Sequence, residues 1–378
     1  MKFLIAPDSF KRCATAKQAS DAIEIGLKRV FPQAQYTKVP MADGGEGTVQ
    51  SLTDALNGNF RYIRVFDPLG KKITARYGLI KNKHTAIIEM SAASGMQFVN
   101  KETQNPMITS TFGTGQLLKD ALHQKNIENI IIGIGGSATI DGGVGMAEAL
   151  GVKFLDKNNQ PIRYGGGGLR NLNHIDISNL DPLVKQKNIY IASDVDNPLF
   201  GENGAAFTFG AQKGANQKMM RSLDNNLRHL HHILKRDLNL DLANKPGSGA
   251  AGGLGLGLIA FTNATMEKGI NITTSLTELG NKAKDADFVF TGEGRIDEQT
   301  LHGKTPIGVS EIAKEYNPNT KVIALVGSMC YNVKPLYEKG IDAIFSIAPG
   351  RESKAMAIKN IRRNLIRTAE NIGHIINN

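Results

Sequence analysis

Residues 2–39 read KFLIAPDSFKRCATAKQASDAIEIGLKRVFPQAQYTKV, and the fold class follows from this stretch. Residues 2–6 are an apolar run of the length expected for a buried strand. Thr15 followed by Gln18 makes a capping-box pattern, after which Ala19, Ile23, Leu27 and Val30 recur at helical spacing. Pro32 stops that helix, and residues 36–39 read as a second strand. Val49, Leu52 and Leu56 mark a further helix closed by Gly58. A β-α-β-α alternation of this kind predicts the start of a parallel sheet.

Outward from there the pattern changes. Residues 60–65, 72–79 and 85–90 read as short strands separated by turns such as Asp67-Pro68-Leu69-Gly70, a meander and not a crossover series. A helix over 116–123 and strands over 130–134, 152–155 and 189–192 follow. Residues 217–235 predict a polar-faced helix, and 249–261 a Gly-rich helix that packs closely. Alternation resumes with strands at 288–290, 322–326 and 343–347 around a helix at 307–313. The last helix carries Ile358, Ile361, Leu365, Ala369, Ile372 and Ile376 on one face. The expected fold is α/β, with a doubly wound parallel-sheet domain formed by both chain ends (1–66 and 285–378). A second α/β domain (67–284), with the meander and Gly-rich loops, is inserted. At 378 residues the chain exceeds what one hydrophobic core organises well.

Composition narrows the function classes. The net charge is +10, but the basic residues are scattered and the longest runs are pairs such as Arg362-Arg363. Without a basic stripe or interleaved aromatics, the charge suits anionic small molecules better than nucleic acid. Cys13 and Cys330 stand far apart and give neither a disulfide framework nor a zinc signature. No apolar run approaches the length needed to span a bilayer, and residues 3–6 are too short for a signal core. A cytoplasmic location with no membrane partner is the expectation. The 41 glycines cluster, which points to loops where backbone meets a ligand closely.

Those loops sit where strands end. Ala6-Pro7-Asp8-Ser9-Phe10-Lys11 follows the first strand, in the position where open α/β sheets bind ligands. Its alternative is an ordinary capped turn. Asp43-Gly44-Gly45-Glu46-Gly47 follows the second strand and offers backbone N–H groups to an anion, or two acids to magnesium. Gly133-Ile134-Gly135-Gly136-Ser137-Ala138 runs toward Thr139 and Asp141. It fits a loose G-x-G-x-x-A dinucleotide pattern, with Asp156 near the place of a ribose-binding acid, and it equally suits polyphosphate. Asp194 and Asp196 alternate in extended chain, so both can face one cation, unless they only form a turn before Pro198. Glu293 stands between Gly292 and Gly294, glycines with no evident structural purpose, and Arg295 offers a fork for phosphate or carboxylate. Gly303-Lys304-Thr305 imitates a P-loop tail, but Glu298 stands where its first Gly belongs. His229, His231 and His232 lie on the polar helix with no companion acid and read as a solvated face.

Phosphoryl transfer asks little covalent chemistry of a protein, and mainly oriented N–H donors, cationic clamps, magnesium ligands and a proton acceptor. This inventory supplies them. The ordered set of stretches 6–11, 42–48, 91–95, 113–115, 133–139 with 141–143, 194–198, 209–214, 249–253, 291–297 and 301–304 resembles the glycerate kinase family of bacterial glyoxylate and glucarate catabolism. The resemblance spans essentially the whole chain. It implies an ATP- and Mg2+-dependent kinase of D-glycerate, 2-phosphoglycerate being the favoured product; the expected assembly, monomer or homodimer, is left open by the sequence. The family usually carries Gly-Ser where Arg12-Cys13 stand here, and Asn where this chain has Ile140.

On that resemblance, Asp194 or Asp43 positions the glycerate hydroxyl and accepts its proton. Lys11 and Arg295 clamp carboxylate or phosphate, with Asp8 and Ser9 beside them. Asp8, Asp196 and Glu293 are the magnesium candidates. Gly44, Gly45, Gly135, Gly136, Ser137, Thr139 and Lys304 are the ATP-binding candidates. A nicotinamide-dependent oxidoreductase of a small hydroxy acid and a non-catalytic metabolite-binding protein are the rival readings.

Overall fold

A computed structural model describes residues 1–378 except 11, 12, 43, 46, 297–299, 301–303, 331, 349, 351, 352 and 378. The strands, in chain order, are β1 Lys2–Ile5, β2 Gln35–Lys38, β3 Asn59–Phe66, β4 Lys72–Ile80, β5 Thr85–Glu89, β6 Asn129–Gly133, β7 Lys153–Leu155, β8 His174–Asp176, β9 Asn188–Ala192, β10 Thr265–Glu267, β11 Phe288–Glu293, β12 Lys321–Val326 and β13 Ala343–Ser346. Two compact units emerge. The first holds Met1–Asp43, Gln50–Gly58 and Ile270–Asn378, and the second holds Gly44–Val49 and Asn59–Gly269.

The first unit is a five-stranded, wholly parallel sheet ordered β13-β12-β11-β1-β2. Alternation along the buried strand β1 sends Phe3 and Ile5 to one face and Leu4 and Ala6 to the other. On the first face they meet Ile23 and Leu27 of helix Ala16–Lys28 and Leu365 and Ala369 of helix Ile361–Asn377. On the opposite face they meet Leu279, Val309 and Ala313. Helices on both faces make the sheet doubly wound. Numbered within the unit, its strands run 2-1-3-4-5, so the connections reverse direction between β1 and β11. Ligands of such sheets bind at that reversal, beyond the strands' carboxyl ends. The expected capping box is present, Gln18 N donating to Thr15 Oγ1 at 3.1 Å while Thr15 N donates to Gln18 Oε1 at 3.0 Å.

The second unit has a six-stranded sheet ordered β10-β9-β6-β5-β4-β3. The meander over β3, β4 and β5 is antiparallel, and β5, β6, β9 and β10 continue in parallel. Its core joins Ile88, Ile132 and Ile191 of the sheet to Leu117 and Leu118 of helix Phe112–Leu122 and to Leu254 and Leu258 of helix Ala250–Thr262. A second cluster gathers Leu223, Leu227 and Leu230 of helix Gln217–Leu238 around Phe154 and Ile175.

Several elements differ from expectation, among them the last helix, which is divided: Ile358 lies exposed in helix Lys354–Lys359, and the remaining apolar face belongs to helix Ile361–Asn377. The helix predicted from residue 116 begins at Phe112 and contains Gly113 and Gly115. These glycines are packing sites and not breakers, because an added Cβ would stand 1.8 Å from Phe66 O at Gly113 and 2.3 Å from Met146 O at Gly115. The Gly-rich helix is not continuous from its start, since Ala251, Gly252 and Gly253 have left-handed backbone. Finally, β7 pairs with β8 in a separate two-stranded sheet. Asp156, just beyond β7, closes a turn by accepting from Asn158 N and Gln160 N. It is not at the end of a strand neighbouring β6, which removes the ribose-acid part of the dinucleotide reading.

Candidate active-site loops

In the first unit, Asp8 and Glu293 leave the carboxyl ends of β1 and β11, on either side of the sheet's reversal point. Asp8 N donates to Gly292 O at 2.9 Å, which ties the two loops together. The Asp8 carboxylate accepts from Ser9 N at 2.5 Å and from Thr305 Oγ1 at 2.8 Å. Thr305 opens helix Thr305–Tyr316, and Lys304 is its N-terminal capping position. Glu293 Oε1 accepts from Thr300 Oγ1 at 2.9 Å. Arg295 is exposed two residues on. The structure therefore groups Asp8, Ser9, Glu293, Arg295 and Lys304 on loops at one end of one sheet. Lys11 lies outside the described residues. Gly292 has a packing purpose that the sequence did not reveal, because a Cβ there would stand 1.9 Å from Leu325 O of β12.

In the second unit the parallel strands end level with one another. Glu89, Gly133, Ala192 and Glu267 pair in register across β5, β6, β9 and β10. The loops at 133–141 and 194–196 depart from that row, after β6 and β9. Gly44, at φ +89°, lies over it, and its Cβ would meet Ala192 Cβ at 3.1 Å. Gly133 is pressed from the other side, its Cβ falling 2.6 Å from Gly44 O. Gly135 comes within 3.3 Å of Gly45 Cα on the same construction. Glu89 Oε1 anchors this crossing by accepting from Gly47 N at 3.0 Å and Val49 N at 2.8 Å. Asp43 lies outside the described residues. Asp194 and Asp196 are exposed in the loop after β9, and Asp194 Oδ1 accepts from Gly269 N at 3.3 Å.

The loop after β6 has an exposed tip and a buried base. Gly135 and Gly136 are exposed, whereas residues 137–141 are buried. Among the described residues, the amides of Gly135 and Gly136 donate to no group. Both parts are tied to neighbouring segments: Met96 N donates to Gly136 O of the tip at 2.9 Å, and in the base Ala138 N donates to Ser94 O at 2.9 Å and Thr109 Oγ1 to Ala138 O at 2.7 Å. From beneath, Lys213 Nζ donates to Ser137 Oγ at 2.5 Å and to Thr139 O at 2.8 Å. Thr139 is fully buried and its hydroxyl has no partner. Asp141 closes the loop by accepting from Thr111 N and Thr111 Oγ1, both at 2.8 Å, and from Gly143 N at 3.1 Å.

Electrostatics in this base are unusual. Burial pushes the Lys213 ammonium down to about 7, against the pull of the Asp141 charge. Burial and then the Asp141 charge push the Glu148 carboxyl up to about 8. Burial also raises Asp141, while its hydrogen-bond donors oppose the rise.

Two residues here escaped sequence reading. Glu89 was signalled only by a charge ending an otherwise apolar strand. Lys213 was signalled only by its place between Gly210 and Gly214. Of the histidines, His229 bonds Leu172 O and His231 bonds Asp241, and no group of three metal-ligating side chains forms among the described residues.

Exposed glycine amides and carboxylates at the ends of parallel strands are groups whose chemistry suits phosphate and a hard cation. Comparison with known proteins gives the family. The profile described as "Glycerate kinase family" matches residues 3–377. The chain belongs to the glycerate kinase family. A "Glycerate kinase" of Halalkalibacterium halodurans is 51% identical, over 98% of this chain and 96% of that one. The "Glycerate 2-kinase" of Escherichia coli is 47% identical, over 98% of this chain and 97% of that one. The crystal structure of a glycerate kinase 2 from Salmonella typhimurium LT2 superposes with TM-score 0.91 at 44% identity, covering 100% of this chain and 98% of that one. Nothing in these glycerate kinase relatives supports a nicotinamide-dependent oxidoreductase. No helix among the described residues is long and apolar enough to cross a membrane.

Proposed function

We propose that this chain transfers the γ-phosphoryl group of ATP to the 2-hydroxyl of D-glycerate, giving 2-phosphoglycerate and ADP. The observation that carries this reading is the 133–141 loop, with two exposed glycine amides unengaged above a base held by hydrogen bonds with Ser94, Thr109, Thr111 and Lys213. Family membership supplies the substrate class, and the name of the Escherichia coli relative favours the 2-hydroxyl.

In this reading Gly135 and Gly136 present N–H groups to nucleotide phosphates, and Gly44 and Gly45 border them. Ser137 and Thr139 serve from within the base. Lys304, at a helix N-terminus, and Arg295, exposed beside Glu293, take phosphate or the glycerate carboxylate, as does Lys11. Asp194 or Asp43 orients the attacking hydroxyl. As the oxygen–phosphorus bond forms and the bond to the ADP oxygen breaks, the hydroxyl proton passes to that carboxylate. Asp8 and Glu293, with Asp196 as a further candidate, are suited to magnesium because they are oxygen donors. A cation held by few protein carboxylates and completed by water and phosphate is the usual magnesium arrangement. A bound magnesium ion supplies charge neutralisation to the phosphate oxygens. A cytoplasmic location suits a metabolic kinase that draws on ATP.

Purified protein is expected to form ADP only when ATP, magnesium and D-glycerate are all present, and EDTA stops turnover. Phosphorus NMR of the product should show coupling to the C2 proton. Coupling to the C3 methylene protons would instead make the product 3-phosphoglycerate. Asp194→Asn lowers kcat by about 100-fold or more with an unchanged melting temperature if Asp194 takes the proton. Wild-type turnover in that variant leaves Asp43 as the acceptor.

A further inference from the structure

Lys213 is only 2% exposed, yet among the described residues no carboxylate lies within ion-pair distance of its ammonium. A cation removed from water without a counter-ion is costly, so its position calls for a reason. The side chain is aimed by a tight backbone: Lys213 N donates to Gly210 O at 3.0 Å, and Gly214 follows at φ +90°. An added Cβ at Gly214 would meet Gln104 O at 2.5 Å, so the turn cannot relax outward. The nearest acid on the loop, Asp141, already accepts from Thr111, Gly143 and Gly145. Lys213 spends its hydrogen bonds instead on Ser137 Oγ and Thr139 O, 76 and 74 residues earlier in the chain. Both acceptors belong to the base of the loop whose exposed tip is Gly135-Gly136.

We propose that Lys213 is a positioning residue for the nucleotide phosphates: it holds Ser137 and Thr139 from beneath, so that the Gly135 and Gly136 amides face the phosphates in a fixed geometry. The inference rests on the reading of the 133–141 loop as the phosphate loop. The ammonium does not touch the nucleotide. Its polarising donation makes the Ser137 hydroxyl a stronger hydrogen-bond donor toward the loop tip. Its charge, left without a carboxylate partner, also favours an anion nearby.

The test compares wild type, Lys213→Met, Ser137→Ala and the double variant. Each is assayed for KM of ATP, KM of D-glycerate, kcat, and ADP affinity by titration calorimetry in the absence of glycerate. Lys213→Met is expected to weaken ADP and raise the KM of ATP by about 10-fold or more, with the KM of glycerate within about 2-fold of wild type. Because both groups act through one contact, the double variant should weaken ADP by less than the product of the two single effects. A merely structural lysine would lower the melting temperature without this split between substrates. Unchanged ADP affinity in folded Lys213→Met, or an equal rise in both KM values, overturns the proposal. Should Lys213→Met not fold, Ser137→Ala decides alone. ADP weakened by about 3-fold or more sustains the proposal, and unchanged affinity overturns it. Absence of ATP- and glycerate-dependent turnover in the wild type would instead bring down the kinase reading on which the proposal stands.

Discussion

Asp141 and Glu148 sit seven residues apart and are both shielded from water, but they are treated very differently by their surroundings. Asp141 is fully buried and accepts hydrogen bonds from Thr111, Gly143 and Gly145. Glu148 is largely buried, its Oε2 has no partner, and burial with the Asp141 charge lifts it to about 8. Native Glu148 therefore keeps its proton between roughly pH 4.5 and 8, where the unfolded chain has lost it. The unfolded state then binds fewer protons, so this residue makes stability fall as pH rises through that window. Glu148→Gln removes the titration. Denaturant unfolding should show the variant gaining on wild type by roughly 1–3 kcal/mol between pH 5 and pH 8.5. A constant difference across that range would mean Glu148 titrates normally. Asp141→Asn should behave oppositely, losing roughly 2–3 kcal/mol at neutral pH, because its amide would confront donors with a donor. An unchanged urea midpoint for Asp141→Asn would contradict the hydrogen-bond set.

Elements meet at glycines, and two of them separate fold from function. At Gly292 a Cβ would fall 1.9 Å from Leu325 O, inside the β11–β12 pairing. Gly292→Ala must spread two central strands and is expected to lower stability by about 2–4 kcal/mol, read as a drop in melting temperature. At Gly133 the obstacle is Gly44 O, 2.6 Å away and in the crossing segment that Glu89 anchors. Gly133→Ala should displace that segment more than the sheet, so ADP binding falls further than melting temperature. A variant with normal ADP affinity would place the nucleotide elsewhere. The same contrast explains what could be read in advance. Strand β1, the helix begun by Thr15 and the meander announce themselves through local periodicity. So do the loops after strands, because a Gly-Ser-Asp composition after an apolar run is itself a local signal. The packing roles of Gly113, Gly115 and Gly292 were not legible because a glycine's partner across a packing seam is not written beside it. Lys213 and Glu89 were missed for a related reason: each acquires its role from a neighbour 40 to 76 residues distant.

Over the whole molecule, the first unit depends on joining the two ends of the chain. Helix Ile361–Asn377 packs against helix Ala16–Lys28 so closely that a Cβ on Gly26 would stand 2.3 Å from Ile366 O and 2.8 Å from Ala369 Cβ. Between them, Leu365, Ala369 and Ile372 cover Ile23 and Leu27 over Phe3 and Ile5 of β1. An exposed ion pair between these segments, Arg29 to Glu370 at 2.7 Å, contributes little beside that burial. Ending the chain at Asn360 would strip away one of the two helices that cover this apolar face of the parallel sheet. No nearby segment replaces it, since the opposite face has its own helices. The second unit draws none of its core from these residues, its clusters being closed by Leu117, Leu254, Leu227 and their neighbours. Truncation at Asn360 is therefore expected to abolish turnover and expose the first unit to protease. Mass spectrometry of the digest should recover a resistant fragment close to residues 59–269. Gly26→Val, which wedges the same seam without shortening the chain, should give the same order of cleavage in a milder form. If the truncated protein instead unfolds in a single step at the wild-type temperature, the C-terminal helix is not what closes this core.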